Sequence, residues 1–220
     1  LFGVGGGLII VPTLLFSFEL LGFPNELLMR MAIGTSLSII LINVSSAVYS
    51  HSKHGRIDWE SVVKLAVPTA IGTVLGGQFS AILAPSTLKL IFAIYVSLVS
   101  IKMWLDLKVA PGEKSTSLLI FIPVGLIIGF KSAILGIGGG TISIPFLSWR
   151  GYEMRKAVGI SASLGIPIAI FGATSYIVNG LGNPSLPEHS FGYVYLPAFL
   201  GVIITSSVFA RIGAKLSHTL

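Results

Sequence analysis

Apolar runs long enough to cross a membrane, separated by short polar joins, cover almost the whole chain. A helix rises about 1.5 Å per residue and a bilayer core is about 30 Å thick, so one crossing takes roughly 20 residues. On that measure the sequence predicts a hairpin remnant at 1–18 and spans near 28–50, 61–83 and 88–107. A second hairpin follows at 118–148, then spans near 157–178 and 193–214. Pro24, Pro85, Pro111, Gly112, Gly180, Pro184 and Pro187 mark the joins. The fold class implied is an all-α polytopic membrane protein.

The pattern repeats. Phe2-Gly3-Val4-Gly5-Gly6-Gly7-Leu8-Ile9-Ile10-Val11-Pro12 returns as Leu135-Gly136-Ile137-Gly138-Gly139-Gly140-Thr141-Ile142-Ser143-Ile144-Pro145. Ala32-Ile33-Gly34-Thr35-Ser36-Leu37-Ser38 is echoed by Ala157-Val158-Gly159-Ile160-Ser161-Ala162-Ser163, and Pro68 with Gly72 by Pro197 with Gly201. Matches in the same order with similar spacing indicate duplication, with a first repeat over 1–110 and a second over 117–220 forming one transmembrane domain. The apolar lead-in Ile120 to Ile134 has no counterpart before Leu1, and the partner of the apolar stretch from Leu88 to Leu107 would lie beyond Leu220. The chain therefore reads as a fragment lacking the outer helix at each end.

Composition sharpens this picture. Hydrophobic residues make up 53% of the 220 positions and charged residues 10%, with fourteen Lys and Arg against eight Asp and Glu. An ordinary soluble domain is about one-quarter charged, so no soluble catalytic domain fits beside the spans. The excess of positive charge is explained by loops on the cytoplasmic side rather than by nucleic acid. Charge also distinguishes two topologies. If both Gly-rich segments are re-entrant hairpins, Lys53, Arg56, Lys102, Lys108, Lys114, Arg150, Arg155, Lys156, Arg211 and Lys215 share one side, with Arg30 and Lys89 opposite. A full crossing at 118–148 spoils that asymmetry. The re-entrant topology leaves about three full spans per repeat, an odd number, which inverts the second half relative to the first, a hallmark of secondary transporters.

Three consecutive glycines break a helix, because glycine has high backbone entropy and no side chain to pack. Irregular backbone at membrane depth survives only inside protein or beside a polar cavity. The helix that follows then starts in mid-membrane and presents free N–H groups and a positive dipole end to an anion. Gly5, Gly6 and Gly7 with Gly138, Gly139 and Gly140 are thus candidate anion-binding residues. Close helix packing by small residues is the competing explanation of the same glycines. Ser36 and Ser161, the aligned hydroxyls, are candidates to complete the pocket, whereas Ser38, Ser163 and Thr35 fit bonds to their own helix backbone or to neighbouring helices. Asn43 and Gln78 read as glue between helices.

All eight acids lie in loops or near span ends, which disfavours a cation substrate. Lys131, about ten residues into the second hairpin, either faces the anion path or snorkels and pairs with carbonyls. No enzyme is indicated: His51 and His54 sit in a basic loop, His189 and His218 in a loop and a terminus, and no buried Ser–His pair is evident. No metal site is expected, and no GxxxxGK(S/T) motif for a nucleotide-driven pump is present. Without cysteine there is no disulfide or thiolate chemistry. Trp59, Trp104 and Trp149 suit an aromatic belt.

At the doubled GxGGGxxxxP motif the sequence resembles the sulfite exporter TauE/SafE family, also called toluenesulfonate uptake permeases. The residues carrying the resemblance are Gly3, Gly5, Gly6, Gly7 and Pro12, then Gly136, Gly138, Gly139, Gly140 and Pro145, with Ala32-Ile33-Gly34 and Ala157-Val158-Gly159 in support. The resemblance covers essentially the whole chain. It implies a multi-pass carrier of the inner or plasma membrane for sulfite, sulfonates or related small anions. Gly3, Pro12, Gly136 and Pro145 would shape the motif, and Lys131 is not part of it. The expected function is secondary transport of a small anion by alternating access, the alternatives being an anion channel or a non-transporting membrane scaffold. No cofactor is expected. The expected partners are the anion and the lipid bilayer, with no nucleic acid, and a homo-oligomer is compatible with the sequence.

Overall fold

The structure is a computed structural model that describes residues 6–53, 55, 57–105 and 118–217, without the side chains of 207–217. The chain order is α1 (Gly7–Leu20), α2 (Asn25–Lys53), α3 (Trp59–Ile82), α4 (Pro85–Trp104), α5 (Leu118–Leu135), α6 (Gly140–Trp149), α7 (Met154–Gly180), β1 (Ser190–Phe191), β2 (Val194–Tyr195) and α8 (Leu196–Ser217). Among the described residues α2, α3, α4, α5 and α7 are long and apolar enough to cross a membrane. The all-α polytopic class read from the sequence is the observed one, and α2 outruns its predicted span at both ends.

The Gly-rich segment at 136–139 turns the chain back. Gly136 has φ 67°, a left-handed conformation that glycine adopts without strain. Phe121, near the start of α5, meets Phe146, near the end of α6, edge to face with ring centres 5.5 Å apart. Beyond α6, the Tyr152 hydroxyl is 2.7 Å from Ser61 Oγ at the start of α3. Both ends of the hairpin thus return to the same end of the bundle, so 118–148 is re-entrant. A small core of Val62, Leu65, Phe121, Leu147, Tyr152, Ala157, Ile160 and Leu164 closes that end. It also carries Lys53, Lys102 and Arg150, and Trp59, Trp104 and Trp149 are exposed there.

Helices α3 and α5 run parallel along a glycine seam. A Cβ at Gly72 would lie 2.2 Å from the Leu126 carbonyl oxygen, one at Gly76 2.4 Å from that of Phe130, and one at Gly129 2.0 Å from that of Thr69. Small residues at four-residue spacing let the backbones approach and maximise dispersion contact where lipid offers no hydrophobic drive. The motif-bearing helices α2 and α7 instead run antiparallel: Tyr176 meets Gly34, Leu37 meets Gly172 and Val44 meets Gly165.

The span expected from 193 begins later, at Leu196, because residues 190–195 form a two-stranded antiparallel hairpin, Ser190 opposite Tyr195 and Phe191 opposite Val194. The hairpin sinks between α2 and α7. Tyr193 N–H donates to the Tyr176 carbonyl at 3.2 Å, and Tyr195 N–H donates to Thr35 Oγ1 at 3.0 Å. These bonds satisfy backbone groups that a helix would have satisfied internally. Tyr195 also meets Phe18 and Phe23 edge to face. Arg30 donates to the carbonyls of Ala81 and Leu83 at 3.2 and 2.9 Å. The end opposite the positive one is therefore plugged.

The seam generates a prediction. Gly129→Val should destabilise the protein in detergent by roughly 1–3 kcal/mol through overpacking against the Thr69 carbonyl. Gly201→Ala, in α8 where an added Cβ has no atom within 4 Å, should not lower the thermal unfolding midpoint, since alanine loses less backbone entropy in a helix than glycine.

Candidate functional site

The two Gly-rich turns meet inside the bundle. A Cβ at Gly7 would lie 2.8 Å from the Gly136 carbonyl oxygen and 2.8 Å from Ile137 Cα, and one at Gly136 would lie 2.9 Å from Ile33 Cα. Gly7 and Gly136 are thus small because backbone crosses backbone there. From this crossing α1 leads to the plugged end and α6 to the positive end, so the two helices start back to back.

Neither start is closed by a side chain. The residue before α1, Gly6, has φ 63°, and the residue before α6, Gly139, is αR; neither has a side chain to cap with. Gly6 O accepts from Ile9 and Ile10, and Gly139 O from Ile142 and Ser143, which uses carbonyls but leaves the first N–H groups of each helix free. Pro12 and Pro145 occupy the sixth position of α1 (Gly7–Leu20) and α6 (Gly140–Trp149). Both shorten the internal hydrogen-bond ladder at equivalent places.

A cavity of about 270 Å³ lies against these starts. Gly6, Gly138, Gly139 and Gly140 form its floor, α2 contributes Ile40, Asn43, Val44, Ala47 and His51, and Ser161 with Gly165 faces them from α7. The α2 positions recur at three- and four-residue intervals and so form one face of the helix. His51 is in the last turn of α2, so the lining runs from the glycine turns towards the positive end. Ser161 Oγ lies 2.7 Å from Ser143 Oγ, which is also hydrogen-bonded to the Gly139 carbonyl at 3.0 Å, so a hydroxyl chain links the cavity wall to the second glycine turn.

The remaining candidates lie elsewhere. Ser36 is fully buried and donates to the Gly136 carbonyl at 2.8 Å, pinning the second turn instead of lining the cavity. Its sequence mate Ser161 lines it. Lys131 also lies off the wall, donating to Thr141 Oγ1 at 2.8 Å and to the Tyr95 hydroxyl at 3.3 Å. Ser38 and Ser163 donate to Gly34 and Gly159 of their own helices. Gly3 and Gly5 fall outside the described residues. Asn43, which the sequence presents as glue between helices, and His51, which it places in a loop, both line the cavity because α2 continues to Lys53. The i, i+4, i+8 spacing of Asn43, Ala47 and His51 was the available signal.

Helices broken at the centre of a bundle of crossing-length helices belong to multi-pass α-helical membrane proteins, whose lipid-facing surface forbids such breaks. Within that class, the chain belongs to the sulfite exporter TauE/SafE family, whose model matches residues 1–220. It is 40% identical over 216 residues to a Haemophilus influenzae protein named "Probable membrane transporter protein", covering 98% of this chain and 82% of that one. A Methanocaldococcus jannaschii protein of the same description is 30% identical over 221 residues, covering 99% and 80%. A Bacillus subtilis relative, likewise so described, is 24% identical over 203 residues, covering 83% and 74%. No solved structure matches the chain. The protein is a membrane transporter.

The lining predicts accessibility. The chain has no cysteine, so single-cysteine variants carry one reactive thiol. Asn43→Cys and Ser161→Cys should react with a membrane-impermeant maleimide applied from the positive end. Leu28→Cys, at a fully buried position, should stay unlabelled over the same interval.

Proposed function

We propose that the cavity binds a small anion, sulfite, a sulfonate or a related organic anion, and that the protein carries it by alternating access. The observation that supports this best is the meeting of two uncapped helix N-termini on one cavity floor. Each offers backbone N–H donors and the positive end of a helix dipole, and glycine lets an oxyanion reach them without a side chain intervening. In this reading Gly6, Gly138, Gly139 and Gly140 supply the backbone cradle, while Ser161 and Asn43 donate from opposite walls. Gly7 and Ser36 act indirectly, by fixing where the turns cross.

The antiparallel crossing of α2 and α7 favours inverted repeats. Two helices related by a two-fold axis and packed antiparallel place that axis across the helices, hence in the membrane plane. The repeats over 1–110 and 117–220 would then rock against each other about the glycine crossing. The state seen has its cavity towards the positive, cytoplasmic end, with the β-hairpin and the Phe18–Phe23–Tyr195 ring cluster sealing the other.

The test is uptake of labelled sulfite, sulfoacetate and acetate into proteoliposomes. Saturable uptake with counterflow is expected for at least one of them. Asn43→Leu should lower affinity roughly tenfold or more, since losing a hydrogen bond to a charged group costs about 1.5–3 kcal/mol. Non-saturable flux would instead indicate a channel, and no flux of any anion through folded protein would return the glycines to a packing role.

A further inference from the structure

Lys131 is an ionisable side chain that the anion cradle does not use. It lies in α5 one turn before the Gly136 turn, and its ammonium stands 5.1 Å from the centre of the Tyr95 ring. Its hydrogen-bond partners are two hydroxyls, Thr141 at 2.8 Å and Tyr95 at 3.3 Å, which are themselves hydrogen-bonded to each other. Among the described residues the acids Glu19, Glu26, Asp58, Glu60, Glu153 and Glu188 sit at helix ends or in loops, so no carboxylate neutralises this ammonium.

From each packed element the facing groups can be named. Tyr95 comes from α4 and Thr141 from α6. On α3, Phe79 packs against Phe130, and Leu65, Pro68, Thr69 and Thr73, which meet Gly125 and Gly129 of α5, carry no titratable group. Tyr176 of α7 is turned to the Ala133 carbonyl, and Arg30 of α2 to the carbonyls of Ala81 and Leu83. Tyr95 is therefore the titratable neighbour, and it is neutral in its ordinary range.

A hydroxyl both accepts and donates, so the Tyr95–Thr141 pair can accept from an ammonium or donate to an amine. A carboxylate would hold the proton permanently, whereas two hydroxyls leave both protonation states hydrogen-bonded. What they do not supply is counter-charge, and a lone cation at membrane depth is costly. Thr141 is the second residue of α6, and the first, Gly140, is on the cavity floor. An anion held at that helix start would bring the missing negative charge to within a residue of the Lys131 hydrogen bond.

Building on the anion-site reading above, we propose that Lys131 takes up one proton as the anion binds, so that anion and proton are carried together. The amine Nζ gains a proton from cavity water to become an ammonium, and returns it to water when the anion leaves. Because the coupling is reciprocal, protonation also tightens anion binding.

The experiment measures equilibrium dialysis of sulfite, sulfoacetate and acetate with the purified protein in detergent. Alongside it, proton uptake in weak buffer is recorded for each anion that binds, corrected for protonation of the free ligand. The wild type should take up protons on binding, and its affinity should rise towards acid by up to about tenfold per pH unit. Lys131→Arg, which keeps the charge and the hydrogen bonds, should bind with no proton uptake and no such pH slope. Lys131→Met should bind more weakly, also without proton uptake. Binding by the wild type without proton uptake, or unchanged uptake in Lys131→Arg, overturns the proposal while leaving the anion site standing. If none of the three anions binds folded wild-type protein, the anion-site reading falls and the proton coupling with it.

Discussion

Backbone polar groups inside a bilayer have nowhere to go but to each other, and this molecule breaks two helices at its centre in spite of that constraint. The rest of the architecture follows from protecting the breaks. Gly7 and Gly136 bring the two turns into backbone contact, Ser36 accounts for the Gly136 carbonyl, and α2 and α7 wall the crossing off from lipid. What remains unsatisfied is a small set of N–H groups facing one cavity, and these form the chemically distinctive surface of the interior.

Residues that match in the repeated sequence motifs are put to different uses in the fold. The aligned serines have diverged in use, Ser36 being bonded to a turn carbonyl while Ser161 faces the cavity. Gly72 lies against the Leu126 backbone, whereas its counterpart Gly201 has open space. The doubled glycine motif provides two opposed helix starts, and the residues that differ between its copies decide which wall is polar. Lys131 belongs to the same asymmetry: its partner Thr141 stands where the first glycine motif has Leu8.

Much of this was legible from residue order. Hydropathy located the crossing helices, charge counting distinguished a re-entrant hairpin from a full crossing, and the doubled glycine motif pointed to the broken helices. Other features depend on packing that periodicity does not encode. Asn43 looks like any polar residue in an apolar span until α7 leaves a gap opposite it. The strand pairing at 190–195 was hidden because Tyr193, Val194 and Tyr195 read as the apolar start of a helix. The N–H groups of Tyr193 and Tyr195 are instead taken by the Tyr176 carbonyl and the Thr35 hydroxyl, from helices far away in sequence. The parallel partnership of α3 with α5 was equally invisible, although both glycine pairs were in plain sight.

That partnership has a bearing on biosynthesis. Helix α3 ends at Ile82 and its partner begins only at Leu118, so at ribosomal speeds of about 5–20 residues per second a few seconds separate their emergence. During that interval the glycine face of α3, with Thr69 and Thr73, lies against lipid or against the insertion machinery, without the neighbour whose backbone it is shaped to meet. Closure of the seam therefore waits until α5 has been made and has entered the membrane.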